Sequence, residues 1–577
     1  MCMMNQLQKK SVALRLLPAL LGAVAGVAVF LWVYGTAPLH VSWDGWILRG
    51  YDELDVQQHY AGWLLFRNSH WTFPLGLADT AAIPDGIAIS YTDSLPWVSI
   101  FLKLLRGVLP ATFQWFGLYV LGCFALQGAA GGLLCARGLS SRGQAAVTGL
   151  LGGALFACLP TLWERAFRHT ALASQWLFLF ALYVYLECRD ALRRTDHTPR
   201  LRWWLVFLAF VSVGIHPYFL PLVMVCALLW CVDRVRLSSA WKGAAVDFAA
   251  ALVAALAGGV LCGAIGTGSS LSREGYGEFS MNLNALVNPY SRGQYTWSRI
   301  LPVLPQQAGQ YDGFNYLGLG VLALLAAGLV ISVVTAFRRP QTVKIWWNRN
   351  WPVAVACLLL TLFAVSNGVY WGNAGFTVPL PGWLLNLCGI FRSSGRMFYL
   401  PAACLVVWGV YTLRDACRRL PHPAICSCAL LAAVLAVQVW DLSAVAAEKH
   451  SYFTEALSEP VENVACHPMT AGIGAGRSAL LAAGEVRDDR LRLLAILAGK
   501  EGLPTNLDIA VSGSHEAAAQ SRADTATKLL NGEYDPTAVY VTTDEAVWNQ
   551  WQQIFADDPA PTFFVADSCY FMLCLEP

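Results

Sequence analysis

Charge is scarce in this sequence. Asp, Glu, Lys and Arg make up 13% of its 577 residues against 56% hydrophobic ones, and a mean hydropathy of +0.49 excludes a water-soluble globular chain. The 39 basic and 37 acidic residues nearly cancel, so a net charge of +2 makes no field for a polyanion, and nucleic acid is not an expected partner. No G-x-x-x-x-G-K-[ST] run exists, which removes the P-loop as a nucleotide cradle. GIGAGRS, from Gly472 to Ser478, has its third glycine at the wrong spacing and no Lys after it, and reads as a flexible loop opening a helix. No Cys/His spacing matches a zinc site, so no metal and no cofactor are expected. Most of the 17 cysteines lie in apolar runs, where a thiol packs as a small apolar group; Cys466, Cys569 and Cys574 in the tail could supply one disulfide.

Long hydrophobic runs are what the sequence has instead. The first, 11–34, follows Lys9 and Lys10, is long enough to cross about 30 Å of hydrocarbon, and has no clear cleavage site, so it is expected to be an uncleaved anchor. Ten more candidate spans lie at 113–135, 145–163, 170–186, 203–215, 218–232, 244–265, 316–336, 351–365, 397–413 and 424–440, about eleven in all, with a hairpin turning at His216 and Pro217. Basic residues such as Arg137, Arg189, Arg234, Arg338 and Arg414 recur after alternate spans and mark one face as cytoplasmic, the N-terminus included. The segments at 35–112, 164–169, 266–315 and 366–396, and everything after Asp441, then share the outer face. The strand-like stretches LDIAV (507–511), AVYVTT (538–543) and TFFVA (562–566) alternate with helical periodicity at 479–498 and 545–555, so the tail reads as a small α/β domain. The fold class is therefore mostly α: a polytopic membrane domain, 1–440, with a C-terminal α/β domain, 441–577.

The first outer segment carries DELDVQQHYAGWLLFRNSHW, from Asp52 to Trp71. Val56, Tyr60, Trp63 and Leu64 form an apolar stripe, so an amphipathic helix lying on the membrane is expected, with Asp55, Gln58, His59 and Gly62 on a neighbouring face. A second amphipathic helix starts near Pro96, and Asp93 is placed to cap it.

Seven stretches together resemble a family of bacterial inner-membrane proteins grouped with the GT-C membrane glycosyltransferases: DVQQHYAGWLLFR from Asp55, YTDSLPWVSIFLK from Tyr91, RHTALASQWLFL from Arg168, HPYFLPLVMV from His216, GYGEFSMNLNALVNP from Gly275, DGFNYLGLG from Asp312 and FRSSGRMFYLP from Phe391. The resemblance implies a GT-C-like fold in the bacterial inner membrane with a periplasmic C-terminal domain. It also implies sugar transfer from a polyprenyl-phosphate donor to a glycan or lipid-linked acceptor, inverting because one base and no carboxylate nucleophile stand out.

Such transfer needs a general base near the membrane surface. Asp55 fits the family's D-x-x-Q-H pattern, whereas Asp52 with Glu53 offers an adjacent acidic pair and Asp44 also competes. His59 and Asp93 join Asp55 as catalytic candidates. Arg392 and Arg396, four apart where an outer segment enters a span, could hold the departing lipid phosphate. Asp52, Gln58, Arg168, His169, His216, Tyr276 and Asn282 are the remaining expected substrate contacts; snorkelling arginines, interfacial histidines and a packed loop are the alternatives for them. A transporter or flippase of a lipid-linked substrate is the competing class, although neither mid-membrane charge nor repeated halves stand out.

Overall fold

A computed structural model describes residues 2–50, 55–195, 198–267, 275–290, 295–458, 460–510 and 516–574. Asp52 and Glu53 lie outside them. Helix α1 (Cys2–Tyr34) is followed by a capping segment with α2 (Gly45–Leu48), α3 (Asp55–Asn68), the ribbon β1 (Leu77–Ala78) and β2 (Ile87–Ala88), and α4 (Pro96–Leu104). Next come α5 (Phe116–Ala136), α6 (Arg142–Ala157), α7 (Pro160–Arg165), α8 (Trp176–Thr195), α9 (Trp203–Val213), α10 (Phe219–Ser238) and α11 (Trp241–Cys262). The rest of the helical domain is α12 (Leu319–Arg338), α13 (Pro340–Val365), the hairpin β3 (Gly368–Trp371) and β4 (Ala374–Thr377), α14 (Gly382–Cys388), α15 (Tyr399–Cys417) and α16 (Pro423–Ser458). Eight of these helical segments are long and apolar enough to cross a membrane, against the eleven expected; the helices at 145–163, 203–215 and 218–232 are present as α6, α9 and α10 but are not among the eight.

Glycine sets the tightest packing. Gly22 and Gly26 on α1, Gly128 and Gly132 on α5, and Gly149 and Gly153 on α6 are each four apart and share a face. A Cβ on Gly22 would lie 2.2 Å from the Gly128 carbonyl oxygen, and one on Gly153 2.4 Å from the Gly22 Cα, so the three helices meet backbone to backbone. Above this trio, Phe167 packs its ring 4.9 Å from Tyr34, 5.2 Å from Trp46 and 5.0 Å from Phe453. That aromatic cluster fixes the turn that follows α7.

Helix α3 differs from its expected role. Every residue from Val56 to Arg67 is buried, so the helix does not lie on a membrane with one face in solvent. The reason is the C-terminal domain, built from β5 (Ala479–Ala482), α17 (Asp488–Glu501), α18 (Glu516–Leu530), β6 (Ala538–Thr542), α19 (Glu545–Ile554), β7 (Pro561–Ala566) and β8 (Cys569–Cys574). Its sheet runs β5-β6-β8-β7, with β5 parallel to β6 and the other pairs antiparallel. Helix α17 covers α3: a Cβ on Gly499 would meet the Leu64 Cβ at 2.6 Å, Asn68 Nδ2 donates to the Gly499 carbonyl at 2.6 Å, and Lys500 Nζ pairs with Asp44 at 2.7 Å. The start of the expected helix at 479–498 is strand β5, because Ala479–Ala482 is largely buried beside β6. The stretch 507–510 forms no strand; with Thr505 it hydrogen-bonds the capping segment, Ala82 N–H to Leu507 O at 3.1 Å and Ile83 N–H to Thr505 O at 3.0 Å. Cys466, Cys569 and Cys574 are free thiols.

Candidate functional site

Five side chains from four separate stretches of chain converge. Asp55 opens α3 and His59 follows one turn later; Asp93 comes from the turn before α4, His169 from the turn after α7, and His216 from the bend between α9 and α10. His169 Nδ1 lies 4.0 Å from Asp55 Oδ2, and its Nε2 lies 3.7 Å from Asp93 Oδ2. His216 Nε2 approaches Asp93 Oδ1 at 3.7 Å, and ring centroids of His59 and His169 are 5.7 Å apart. The two carboxylates differ in access: the Asp55 side chain is 39% exposed and that of Asp93 12%.

Asp93 does not cap α4. The residue before that helix is Leu95, no side-chain cap bond is made there, and Asp93 sits at φ 52° with its carboxylate turned to the histidines. A left-handed conformation at a non-glycine residue costs of order 1 kcal/mol and has to be imposed by its surroundings. Ser94 Oγ imposes it by donating to the His59 carbonyl at 2.8 Å, while Thr92 and Ser94 hydroxyls pair at 2.7 Å. Gly62 leaves room for this: a Cβ there would stand 2.3 Å from both hydroxyl oxygens. The glycine one turn beyond His59 thus lets the Asp93 turn lie directly on α3.

A second layer of charge supports the first. Asp312 accepts from Arg396 Nη2 at 3.0 Å and pairs with Arg165 Nη1 at 2.7 Å, and Arg165 also donates to the Asp312 carbonyl at 2.6 Å. The Arg396 guanidinium lies 4.7 Å from the centre of the Tyr218 ring, and Tyr218 N–H donates to His216 Nδ1 at 3.2 Å. Burial pushes the Asp93 carboxyl up to about 7, against the opposing charge of Arg396 and with the help of Asp55. Burial, aided by Arg492, lowers the His59 imidazole to about 3, and burial followed by Arg396 holds His169 and His216 well below the ordinary histidine value. Burial raises Asp312, yet Arg165 and Arg396 outweigh it and hold that carboxyl well below the usual range. All three histidines are therefore held neutral at neutral pH and resist protonation, which leaves their ring nitrogens free to act as ligands or hydrogen-bonding groups.

Of the expected site residues, Asp55, His59, Asp93, His169 and His216 come together, with Arg396 behind them. Gln58 does not join: its Nε2 donates to the Ile509 carbonyl at 2.5 Å and faces the C-terminal domain. Arg168 is buried against Glu164, its partner one turn back. Asn282 is consumed by Gln310 at 2.7 Å and by Gly372, and Tyr276 donates to the Phe363 carbonyl at 3.4 Å. Arg392 stacks on Phe279 at 5.7 Å, has no ion pair among the described residues, and makes no described contact with the five. Asp44, a rival for the base, accepts from Tyr60 at 3.0 Å and is paired with Lys500. Arg165 and Asp312 are functional neighbours that sequence reasoning misses; the only signal in the sequence is an Arg three residues before Arg168 and an Asp opening the DGFNY run. His59, Asp93 and His169 each offer a ligand atom, all within 4.8 Å of one another, and are the residues that could hold a metal ion.

Residues 23–443 match the family model described as Domain of unknown function (DUF6311), and residues 475–562 match the DUF6311 C-terminal domain. No curated protein sequence matches the chain. Among solved structures the chain is similar to the archaeal oligosaccharyltransferase AglB from Archaeoglobus fulgidus, solved in complex with an inhibitory peptide and a dolichol-phosphate. The identity is 11% and the TM-score 0.38, over 91% of this chain and 69% of that one.

Proposed function

The chain belongs to the DUF6311 family, and from that premise and the geometry above we propose that it is a membrane glycosyltransferase of the GT-C kind. It transfers a sugar from a polyprenyl-phosphate donor to a glycan or lipid-linked acceptor, with inversion, on the periplasmic side of a bacterial inner membrane. The observation that carries this reading is the unequal pair of carboxylates: Asp55, 39% exposed, at the rim of a buried cluster whose other members are a carboxyl and neutral imidazoles.

An acceptor hydroxyl that attacks an anomeric carbon must lose its proton. Asp55 is the reachable base, and positioned base catalysis is worth roughly 10²- to 10⁴-fold. Asp93 and His169 lie behind it and hold its surroundings rather than meeting the acceptor first. The leaving group is a lipid phosphate whose negative charge grows as the bond breaks, and it needs a fixed cation. Arg392 supplies one, since it stacks on Phe279 and has no described ion pair. Arg396 is already engaged by Asp312, so its part is to shape the field around the histidines.

The test is incubation of the purified protein with radiolabelled polyprenyl-phosphate hexoses and envelope fractions, comparing wild type with Asp55→Asn. A loss of about 10²-fold or more is expected for the variant. Equal transfer by both removes Asp55 from the mechanism. Substrate flux in proteoliposomes with no transfer from any donor replaces the enzyme with a transporter.

A further inference from the structure

We propose that His59, Asp93 and His169 bind a borderline divalent metal ion of the Zn²⁺ type. The proposal deepens the glycosyltransferase reading of the same site and rests on it only for what the ion does there. It reverses the expectation of metal independence, which came from spacing along the chain. These donors come from α3, the turn before α4 and the turn after α7, so no sequence spacing could display them.

Three observations carry it. The ligand atoms of the three residues lie within 4.8 Å of one another. His169 Nε2 and Asp93 Oδ2, at 3.7 Å, are within a few tenths of an ångström of the roughly 3.4 Å edge that bonds of about 2.0–2.1 Å make in a tetrahedral site. His59 is 1% exposed and neither of its ring nitrogens has a hydrogen-bond partner. Buried polar atoms are rarely left in that condition, and each costs about 1–3 kcal/mol unless something meets it.

The surroundings supply what a metal ligand needs behind it. With His169 Nε2 on the ion, its Nδ1 faces the Asp55 carboxylate across 4.0 Å, longer than a hydrogen bond, so a small shift of Asp55 on metal binding would be needed to orient the imidazole. His216 Nδ1 accepts from the Tyr218 backbone, which leaves a proton on Nε2 to orient Asp93. Two imidazoles and one carboxylate favour a borderline ion over Mg²⁺ or Ca²⁺, which take oxygen ligands.

The experiment is metal analysis of the full chain, purified in detergent without chelator, then stripped with EDTA and titrated with Zn²⁺, Mn²⁺ and Mg²⁺. Expected is about one equivalent of Zn²⁺ per chain with weaker Mn²⁺ and Mg²⁺ binding, and a Co²⁺ derivative with visible ligand-field bands. His59→Ala and Asp93→Asn should each lower affinity at least roughly tenfold, while His70→Ala, at an exposed histidine, leaves it unchanged. If either variant fails to fold, the Co²⁺ spectrum of the wild type and a His169→Gln variant carry the test. Wild type that binds well below one equivalent, or His59→Ala and Asp93→Asn that keep the wild-type affinity, overturns the site. Metal content is read without any sugar donor, so a loaded but inactive protein sinks the enzyme reading alone, and an active protein without metal sinks the site alone.

Discussion

Asp312 answers to two buried guanidiniums, and its replacement therefore costs more than a surface charge would. Removing one partner of a buried ion pair costs about 3–5 kcal/mol because an uncompensated charge is left behind. Asp312→Asn leaves both Arg165 and Arg396 short of their carboxylate. A lower thermal midpoint at neutral pH is the expected result, read from unfolding in detergent. The pH dependence has a definite sign. A carboxyl held below its ordinary value stabilises the fold above a pH of about 4, and that contribution is lost as the pH falls through the folded value. The asparagine variant should therefore show a flatter acid limb than wild type. An unchanged midpoint together with an unchanged acid limb would mean that the triad contributes nothing. At this scale the sequence was informative about chemical type and silent about wiring. Asp55, His59, Asp93, His169 and His216 stand out as polar residues between apolar runs. That Gln58 turns to Ile509 while His59, one residue on, turns to His169 depends on the angle at which α3 meets its neighbours.

At the scale of elements, α3 and the turn before α4 behave as one unit, and Gly62 is the joint. Alanine or valine there would gain helix propensity, at most about 1 kcal/mol relative to glycine. The added Cβ would stand 2.3 Å from two hydroxyl oxygens that are already committed to each other and to His59, and such overpacking costs typically 1–3 kcal/mol. The clash outweighs the propensity gain, and the turn carrying Asp93 has to move. Gly62→Val should therefore lose transfer activity by tenfold or more while its thermal midpoint falls only by the few degrees that about 1–2 kcal/mol implies. Wild-type activity in a folded Gly62→Val protein would show that Asp93 has no need of its present position. Long periodic helices were legible from hydropathy alone. The amphipathic stripe of α3 was legible too, but not what covers it, because the covering helix α17 lies more than 400 residues away in the chain. Strand β5 was hidden for a related reason: ALLA suits a helix equally well, and pairing with β6 decides.

Across the whole molecule, the convergence of the site ties the crossings together in pairs. On one face of a membrane, His169 meets Asp55 and Asp93 only if α5 and α6 both cross or neither does, and the same holds for α8 with α9 before His216, α10 with α11 before Asp312, α12 with α13 before Arg396, and α15 with α16 before the C-terminal domain, which is bonded to α3 through Asn68 and Gln58. Eight of these helices are long and apolar enough to cross, and if α6, α9 and α10 cross with their partners, the prediction is eleven crossings with the N-terminus and the C-terminal domain on opposite sides. The shortest of these, α9, covers about 16 Å at 1.5 Å per residue and is preceded by a further turn at Arg200–Arg202. Two native thiols test the count. Cys466 is exposed beside the C-terminal domain, and Cys426 lies in the first turn of α16, more than half its length from the site face. A maleimide that cannot cross a bilayer should label Cys466 in intact spheroplasts, and Cys466→Ser should abolish that signal, whereas Cys426 should react only after permeabilisation. Labelling of both from one side would mean that α16 does not cross, and the count of eleven would fall.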